Sequence, residues 1–411
     1  MSDLRLEILA TGDELLTGQL VDTNSPWLMD RFWELGLMVR RKTLVGDDRS
    51  DLLLALRETT GRADLVVMSG GMGPTEDDLT SESVAAFLGV PLELHRPSLE
   101  AIEERFRRFG RTLTPNNEKQ ARFPRGATII PNRFGTAPGF SVRAGRAELT
   151  CLPGVPSEFK GLCDEWLLPR VAQGLGEVPA SGLLKLFGVP ESHADHRMRP
   201  VMDDPDSAGV RFGYRAHWPE VHVKWTVSGA DAPARAERIR ARVRTIFGDQ
   251  VFGEGKDELA ELVVARLAAR GERVALAESC TGGLLAELLT DVPGASAVLD
   301  LGVVAYADAM KERILGVDRA LLAHHGAVSE EVARAMAEGA RRAGGATWGV
   351  GITGIAGPSG GTPEKPVGTV HVALAGPART EAVARLYRGD RARIRRQAAF
   401  EALNLLRLAM R

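Results

Sequence analysis

The sequence is poor in cysteine, in excess basic charge and in long apolar runs. Its 411 residues include only Cys151, Cys163 and Cys280, too few and too scattered for a disulfide framework or a zinc site. The formal net charge of −2 argues against a nucleic-acid-binding protein, which normally carries a strongly basic domain. No apolar run approaches the roughly 18 residues of a membrane-spanning helix. We therefore expect a cytoplasmic protein with reduced thiols and neither a membrane segment nor a nucleic-acid partner.

Lysine is also scarce. Only 8 of the 52 basic residues are lysines, and residues 257–411 contain just Lys311 and Lys365. A lysine amine can lose its proton and act as a base, whereas an arginine guanidinium cannot near neutral pH. Each lysine is therefore more informative than it would be in a lysine-rich chain.

The pattern of apolar residues predicts an α/β protein with two α/β domains joined by a small α+β module. In residues 1–170, strands at 4–10, 37–45 and 64–70 alternate with helices, which indicates a parallel sheet covered on both faces. Residues 171–252 follow a β-α-β-β-α pattern, and we expect this module to connect domains or to dimerise. GEGKDE (253–258) is predicted to be a linker, and residues 253–411 form the second α/β domain.

A glycine-rich loop, SGGMGPTEDDLT (69–80), follows an apolar strand. Gly70, Gly71 and Gly73 would let backbone N–H groups approach a phosphate, and Asp77 and Asp78 offer oxygen ligands for a divalent cation. The absence of GK[ST] excludes a Walker A loop. The alternative is a simple turn in which Asp78 or Thr80 caps the next helix, and spacing alone does not decide between the two.

Two further acidic segments follow strands of the same predicted sheet. GDELLTGQLVDTNS (12–25) and VGDD (45–48) would bring Asp13, Asn24 and Asp47 to the same edge as the glycine-rich loop. Each residue alone is typical of a turn. Together with the loop they predict a rim that faces phosphate and metal.

In the C-terminal domain, AESCTGG (277–283) places three candidate nucleophiles, Ser279, Cys280 and Thr281, between a strand and a helix. The helix N-terminus would direct N–H groups at the loop and stabilise an oxyanion. Alternatively, Ser279 or Thr281 is the helix cap, and Cys280 is a small core residue. His324 and His325 lie in a predicted loop, and nothing orients them as a base.

A serine with a lysine base is an established alternative to a histidine triad. Lys311 begins a helix just after a strand, in VAYADAMKERILGV, although it could equally be an exposed helix lysine. GITGIAGPSGGTPEKPVGTVHVAL (351–374) then offers glycines between two strands. Such a loop can bind a phosphate through its backbone amides, or it can be a long flexible hairpin.

At its N-terminal end the chain resembles the molybdopterin-binding-like domain of the CinA family. The resemblance rests on GDELLTGQLVDTNS and SGGMGPTEDDLT, together with PNNEKQA (115–121), GTAPGF (135–140) and LPGVPSE (152–158). It implies hydrolysis of ADP-ribose that depends on a divalent metal (Mg, Co or Mn), with potassium as an added requirement. By motif, Asp47 and Asp78 match the acidic metal positions, and the phosphate loop maps to Gly70, Gly71, Gly73 and Thr75.

The C-terminal motifs AESCTGG, VAYADAMK, GITGIAGPSGGTPEKPVGTV and GDRARIRRQAA resemble the PncC-type nicotinamide mononucleotide deamidase domain of the same family. The resemblance implies Ser279 as nucleophile and Lys311 as its base, with no cofactor. It assigns substrate-binding roles to Thr281, Gly282, Gly283, Tyr306, Thr353, Gly354, Gly357, Gly360 and Gly361. The chain reads YADAM where relatives often have Asn near position 308, which leaves the role of that position open.

Three functions are consistent with these observations. The first is a homodimeric, bifunctional hydrolase of nicotinamide mononucleotide and ADP-ribose. The second has the same deamidase, with an N-terminal domain that only binds a pterin or nucleotide or serves as a scaffold. The third is an interaction protein linked to competence or recombination.

Overall fold

The computed structural model describes residues 4–175 and 179–411. The chain divides into two units, one of Met1–Ser181, Gly209–Arg211 and Thr226–Glu237, and one of Gly182–Ala208, Phe212–Trp225 and Arg238–Arg411. Residues 1–3 of the first predicted segment and 176–178 of the predicted module lie outside the described residues. The three-segment organisation, 1–170, 171–252 and 253–411, stays a prediction.

The N-terminal segment alternates strands with helices, as predicted. Its strands are β1 (Leu6–Thr11), β2 (Val39–Val45), β3 (Leu65–Ser69), β4 (Leu92–Leu94), β5 (Arg122–Pro124), β6 (Thr128–Ile130), β7 (Gly139–Ala144) and β8 (Ala147–Leu152). Its helices are α1 (Asp13–Leu16), α2 (Asn24–Glu34), α3 (Arg49–Arg62), α4 (Thr80–Leu88), α5 (Arg96–Arg108), α6 (Pro156–Leu162) and α7 (Leu168–Gly174).

The main N-terminal sheet has the order β2-β1-β3-β8-β7-β6. The first four strands are parallel, while β7 is antiparallel to β8 and β6 to β7. The predicted all-parallel sheet is therefore wrong at this edge, because β7 and β8 form a hairpin across the short connection Gly145–Arg146. Successive β1 residues face opposite sides, so that Leu9 belongs to the core cluster with Leu52 of α3, and Ile8 to the one with Phe32 of α2.

The middle of the chain forms a four-stranded sheet of order β10-β11-β9-β12. Its elements are β9 (Ala180–Phe187), α8 (Glu191–Met202), β10 (Arg211–His217), β11 (Glu220–Val227), α9 (Ala232–Phe247) and β12 (Val251–Glu254). Strand β12 is antiparallel to β9. The predicted linker at 253–258 is therefore wrong in its first two residues, which complete this sheet.

The C-terminal segment holds a five-stranded sheet of order β14-β13-β15-β16-β17. Its elements are α10 (Leu259–Arg270), β13 (Val274–Glu278), α11 (Leu284–Thr290), β14 (Leu299–Val304), α12 (Asp308–Leu315), α13 (Arg319–His325), α14 (Glu330–Gly344), β15 (Trp348–Gly354), β16 (Thr369–Ala375), β17 (Thr380–Leu386) and α15 (Arg391–Ala409). Strands β14, β13 and β15 are parallel, whereas β16 is antiparallel to β15 and β17 is antiparallel to β16. The α/β fold class is confirmed, although sequence reasoning did not identify β17 or α13.

The α13 helix also corrects the environment predicted for two histidines. His324 and His325 are its last residues rather than part of a loop. Throughout the residues that the structure describes, no helix combines the length and apolarity needed to cross a membrane.

Candidate active sites

The N-terminal candidate site is a cavity of about 750 Å³ at one edge of the main sheet. It lies where β1, β3 and β8 end, at Thr11, at Ser69 and just beyond Leu152. Parallel strands bring their carboxyl ends to one edge, and ligands of such sheets bind there. Most of the predicted N-terminal site residues line this cavity: Asn24, Asp47, Gly70, Gly71, Gly73, Asp77 and Asp78.

A close approach between two strands explains the glycine at the start of the loop. Gly70 has a φ of 107°, and a Cβ built on it would lie 2.4 Å from the Thr11 carbonyl oxygen. Its N–H donates to the Leu152 carbonyl at 3.1 Å. A side chain at this position would therefore force β1 and β3 apart at the edge where the cavity opens.

The first metal candidate, Asp47, is held by two hydrogen bonds. Its Oδ1 accepts from the Thr11 hydroxyl at 3.0 Å, and its Oδ2 accepts from the Asp13 N–H at 3.1 Å. The Asp13 carboxylate in turn accepts from the Asp47 N–H at 3.1 Å. Asp13 thus orients Asp47 and is absent from the cavity lining, and its role as a binding residue stays a prediction.

The second metal candidate, Asp78, is not a helix cap. Helix α4 has Leu79 at its N-cap position with no side-chain cap, and the Thr80 hydroxyl donates to the Gly70 carbonyl at 2.8 Å. Asp78 Oδ2 accepts from both the N–H and the hydroxyl of Thr75. Thr75 is absent from the cavity lining and orients Asp78, and its place in a phosphate loop stays a prediction. The same Thr75 side chain, through a hydrogen bond, lowers the pKa of Asp77.

Asn24 connects three segments at the cavity. Its amide nitrogen donates to Ser69 Oγ at 3.1 Å and to the Gly154 carbonyl at 2.8 Å. Its Oδ1 is buried and has no hydrogen-bond partner among the described residues. Both donor positions of this amide are therefore used to fix the strand ends.

The charge of the cavity limits what can bind in it. Its lining includes the carboxylates of Glu14, Asp22, Asp47, Asp77, Asp78 and Glu158, and no described lysine, arginine or histidine lines it. A pyrophosphate would be repelled unless a cation accompanied it. Within the described ranges no group of three or more His, Cys, Asp or Glu residues is placed to hold a metal. The donor set fits an ion held by one or two carboxylates and completed by ligand oxygens, the manner in which magnesium usually binds.

The C-terminal candidate site begins where β13 ends. The Ser279 N–H donates to the Ile352 carbonyl of β15 at 3.0 Å, and the Glu278 carbonyl accepts from the Ala305 N–H at 2.9 Å. Because β13 lies between β14 and β15, these bonds bring Ser279 to the edge where Tyr306 follows β14 and Thr353 lies near the end of β15. Ser279 is 8% exposed, and its hydroxyl has no hydrogen-bond partner among the described residues.

The residue before the serine caps the following helix. Glu278 is buried, and its carboxylate accepts hydrogen bonds from the N–H groups of Gly283, Leu285 and Ala286 at 3.0, 3.1 and 2.9 Å. These bonds occupy the donors that were predicted to stabilise an oxyanion. The predicted alternative of Thr281 as the cap is also wrong, because its Oγ1 is buried with no partner among the described residues.

Two backbone donors remain at the turn. The N–H groups of Cys280 and Thr281 have no acceptor in any other described residue, whereas the Gly282 N–H donates to the Ser279 carbonyl at 3.1 Å. Both free groups come directly after Ser279. They are the donors available for an oxyanion that forms beside the serine hydroxyl.

Cys280 belongs to the core of the domain. Its side chain lies in the cluster that contains Leu285 and Ile352, and a Cβ built on Gly354 would lie 3.1 Å from its sulfur. Burial raises the pKa of the thiol to about 12. A thiol in this environment stays protonated and is a poor nucleophile near neutral pH.

Lys311 is not an exposed helix lysine. It is 1% exposed, and its Nζ donates to the Tyr306 carbonyl and to Asp308 Oδ1, both at 3.1 Å. Tyr306 directly follows Ala305, which is bonded to the residue before Ser279. The position where this chain departs from the family pattern, Asp308, is therefore a direct partner of the buried amine.

Sequence reasoning missed two arginines of α15. Arg391 donates to the Gly357 carbonyl at 2.8 Å and to the Tyr306 hydroxyl at 2.9 Å. Arg395 donates through Nε and Nη2 to the Thr281 carbonyl, at 3.0 and 2.6 Å. Their i,i+4 spacing in GDRARIRRQAA was the available signal, because residues four apart share one face of a helix.

The glycine-rich loop between β15 and β16 is anchored at both ends. Gly357 and Gly360 have positive φ values, and the Lys365 ammonium donates to the His325 carbonyl at 2.7 Å. At the start of the loop, the buried Thr353 hydroxyl donates to the Ala327 carbonyl at 2.7 Å. With Arg391 on Gly357, these bonds contradict the alternative of an unanchored flexible hairpin.

Three family models match the chain. They are described as "Probable molybdopterin binding domain" for residues 7–173, "Damage-inducible protein CinA KH domain" for 181–253 and "CinA C-terminal domain" for 256–410. A CinA-like protein of Anaeromyxobacter sp. (strain Fw109-5) is 81% identical over 408 residues, 99% of this chain and 100% of the relative. That of Myxococcus xanthus (strain DK1622) is 43% identical over 413 residues, 98% of each chain. A solved CinA superfamily protein of Klebsiella pneumoniae is 37% identical, with a TM-score of 0.36, and the match covers 37% of this chain and 95% of that one.

Proposed function

Since the chain belongs to the CinA family, with a molybdopterin-binding-like domain in its N-terminal part, we propose that it is a bifunctional hydrolase of pyridine nucleotides. Its C-terminal domain would convert nicotinamide mononucleotide and water to nicotinate mononucleotide and ammonia. Its N-terminal domain would hydrolyse ADP-ribose to AMP and ribose 5-phosphate. Both substrates carry a ribose phosphate, which gives a chemical reason for joining the two activities. We further propose a cytoplasmic homodimer.

One observation carries the deamidase proposal: an unpartnered serine hydroxyl followed by two backbone N–H groups without acceptors. In the proposed reaction Ser279 Oγ bonds to the carboxamide carbon while its proton passes to the Lys311 amine. The carbonyl oxygen becomes an oxyanion that the N–H groups of Cys280 and Thr281 would bind. The carbon–nitrogen bond then breaks, and ammonia leaves with the proton from Lys311. Water cleaves the resulting acyl-serine, which releases the acid and restores the hydroxyl.

The charge around this site supports a mononucleotide substrate. Arg391 and Arg395 of α15 reach the glycine-rich loop and the ESCTGG turn, respectively. The phosphate of the nucleotide would bind along the loop of Gly354, Gly357, Gly360 and Gly361. Tyr306 and Thr353 would lie beside the nicotinamide ring. Because guanidinium groups bind phosphate without a metal, we propose that this reaction needs no cofactor.

The N-terminal proposal is supported by a cavity that combines a glycine loop with carboxylates and lacks basic residues among its described lining. Asp47 and Asp78 would hold a divalent ion, Mg, Co or Mn, with potassium as an added requirement. When bound, such an ion neutralises the charge of a pyrophosphate. Gly71 and Gly73 would position the phosphates through their backbone, whereas the Gly70 N–H is already bonded to the Leu152 carbonyl. Asn24 holds the strand ends that carry this loop.

The experiment is a pair of assays on the purified full chain. Nicotinamide mononucleotide should yield ammonia without added metal, and ADP-ribose should yield AMP only with a divalent ion. The variant Lys311→Arg should lose ammonia release by about 10²-fold or more, because a guanidinium cannot accept the serine proton. Full activity of this variant would refute the base assignment. It should hydrolyse ADP-ribose at the wild-type rate.

A second candidate is favoured by the match of residues 7–173 to a molybdopterin-binding model. In this case the N-terminal domain binds a phosphorylated pterin or nucleotide without hydrolysing it. ADP-ribose would then bind, as measured by calorimetry, and remain intact with each of the three metals. That result would leave the deamidase as the sole activity.

A further inference from the structure

The motifs GTAPGF and LPGVPSE meet at the N-terminal cavity. The proposed hydrolysis has so far given neither of them a role. Glu158 of the second motif lies in the first turn of α6 and lines the cavity. A Cβ built on Gly135 of the first motif would lie 1.6 Å from Glu158 Cδ. Any residue larger than glycine at position 135 would clash with the carboxylate in this position. The carboxyl group of the second motif therefore occupies the space that a side chain in the first motif would need.

The side chain of an asparagine orients this carboxylate. Asn132 donates through Nδ2 to Glu158 Oε2 and to the Ala137 carbonyl, the latter at 2.8 Å. Its Oδ1 accepts from the N–H groups of Phe134 and Gly135 at 2.9 and 3.0 Å. The asparagine thus fixes both the loop that makes room for the carboxylate and the carboxylate itself.

The same loop is fixed from a second helix. Arg105 of α5 donates to the Arg133 carbonyl at 3.0 Å and to the Phe134 carbonyl at 2.8 Å. A carboxylate that faces a cavity and is oriented by a third group has the arrangement of a general base.

Three other carboxylates of the cavity suit this task less well. Asp22 is already paired with Lys42, at 2.6 Å between Oδ2 and Nζ. Both oxygens of Asp47 accept hydrogen bonds, and Asp78 is bonded twice by Thr75. Burial raises the pKa of Glu158, against the opposing effects of the Asn132 hydrogen bond, the Arg105 charge and a backbone hydrogen bond from Ala137. A raised pKa brings a carboxylate closer to the operating pH, where base catalysis is most efficient.

We propose that Glu158 is the general base that activates water in the N-terminal cavity, with Asn132 as its positioning residue. This inference rests on the proposed hydrolysis of ADP-ribose. One proton of a water molecule passes to the Glu158 carboxylate while the water oxygen bonds to one phosphorus. The bond from that phosphorus to the bridging oxygen breaks, and the bridging oxygen leaves with the other phosphate. The proton on Glu158 then passes to the leaving phosphate or to solvent.

The test compares Glu158→Gln with wild type in the presence of the divalent ion. We expect kcat for ADP-ribose to fall by about 10² to 10⁴-fold, the usual contribution of a general base. The Kd of a methylene-bridged ADP-ribose analogue should stay within about twofold, because phosphate binding does not depend on the base. Glu158→Ala should regain part of its rate when formate is added, since formate can occupy the space of the missing carboxyl group. The matched control is Glu148→Gln, a carboxylate that binds Ser141 and does not line this cavity.

The outcomes separate the two proposals. If wild type binds ADP-ribose but does not cleave it, the proposed hydrolysis fails, and the inference fails with it. If wild type cleaves ADP-ribose and Glu158→Gln keeps its kcat, only the inference is refuted. Loss of analogue binding in Glu158→Gln would make Glu158 a ligand contact and would also refute its role as base. An Asn132→Ala variant that reduces kcat without changing analogue binding supports the positioning role, and unchanged kcat overturns it.

Discussion

The N-terminal cavity and the C-terminal serine turn both lie where parallel strands end, but their charges are opposite. Six carboxylates line the N-terminal cavity, and no described basic side chain lines it, although Lys42 is paired with Asp22 at 2.6 Å. At the C-terminal turn, Arg395 binds the Thr281 carbonyl and Arg391 binds the Tyr306 hydroxyl, whereas the buried Lys311 is paired with Asp308. The same architecture therefore offers an environment for a cation in one domain and for an anion in the other.

The two sites also differ in how their functional groups are held. At the N-terminal cavity, acidic side chains are fixed mainly by neighbouring hydroxyl and N–H groups, as in the pairs Asp47–Thr11 and Asp78–Thr75. At the C-terminal turn, the serine hydroxyl is free, and the surrounding groups hold the backbone instead. This difference suits a metal-assisted reaction at the first site and covalent catalysis at the second.

The largest effect should come from removing the nucleophile. We expect Ser279→Ala to lower ammonia release from nicotinamide mononucleotide by at least about 10³-fold, because the acyl intermediate can no longer form. Cys280→Ala should remain active, since the thiol is buried and its raised pKa, about 12, keeps it protonated. ADP-ribose hydrolysis should be unchanged in both variants. An inactive Cys280→Ala beside an active Ser279→Ala would transfer the nucleophile to the thiol.

The next largest effect should separate the two sites by their metal requirement. Chelation with EDTA should reduce AMP formation by about 10²-fold or more, because the acidic cavity repels a pyrophosphate that lacks its cation. The deamidase rate should stay within about twofold, since arginines supply the positive charge there. Asp47→Asn and Asp78→Asn should reproduce the effect of EDTA with metal present. Equal sensitivity of both reactions to the chelator would contradict the contrast in charge.

Much of this contrast was predictable from the sequence. Strand-to-loop patterns placed Asp47, the Gly70 loop and Ser279 at strand ends, and they lie there. The pattern could not show which groups use up the hydrogen-bonding capacity of the others. Thr75 resembles a phosphate-loop residue in the sequence, yet its donors bind Asp78. The α11 N-terminus resembles an oxyanion site, yet Glu278 occupies its donors.

Contacts that join distant segments were the least predictable part. Arg391 and Tyr306 are 85 positions apart, and Asn132 and Glu158 are 26 apart. Apolar periodicity reports which face of an element is buried, but it carries no information about such polar pairs. The sheet edges were missed for a related reason, because β6, β7 and β17 are antiparallel to their neighbours, which a strand–helix alternation does not predict.

A smaller effect, on stability, should come from the helix caps. Glu278 caps α11 and is buried, whereas Asp48 caps α3 and is exposed. Glu278→Gln replaces one acceptor oxygen with an NH₂ group facing helix N–H donors. We expect the free energy of unfolding to fall by roughly 2 kcal/mol, because buried hydrogen bonds to a charged group are lost. Asp48→Asn is the matched control at α3, where an exposed carboxylate accepts from Ser50 and Asp51, and it should cost a few tenths to about 1 kcal/mol.

The urea concentration at which each activity is lost measures these two variants. Glu278→Gln should lower the midpoint for deamidase activity, and Asp48→Asn should cause a smaller shift in the midpoint for ADP-ribose hydrolysis. Equal shifts would show that burial of the Glu278 cap adds nothing to its contribution.

The smallest effect should come from the rim of the basic site. Tyr306 is 59% exposed, and its hydroxyl accepts from Arg391 Nη2 at 2.9 Å. Tyr306→Phe removes this acceptor and leaves the ring, so we expect the KM for nicotinamide mononucleotide to rise about 2- to 10-fold, the worth of one partly exposed hydrogen bond. The control is Tyr387→Phe, whose hydroxyl binds Glu401 at 3.0 Å beyond β17, and its KM should be unchanged. If Tyr306→Phe instead lowers kcat and leaves KM unchanged, the Tyr306 hydroxyl acts in the chemical step. Its hydrogen bond to Arg391 would then not contribute to substrate binding.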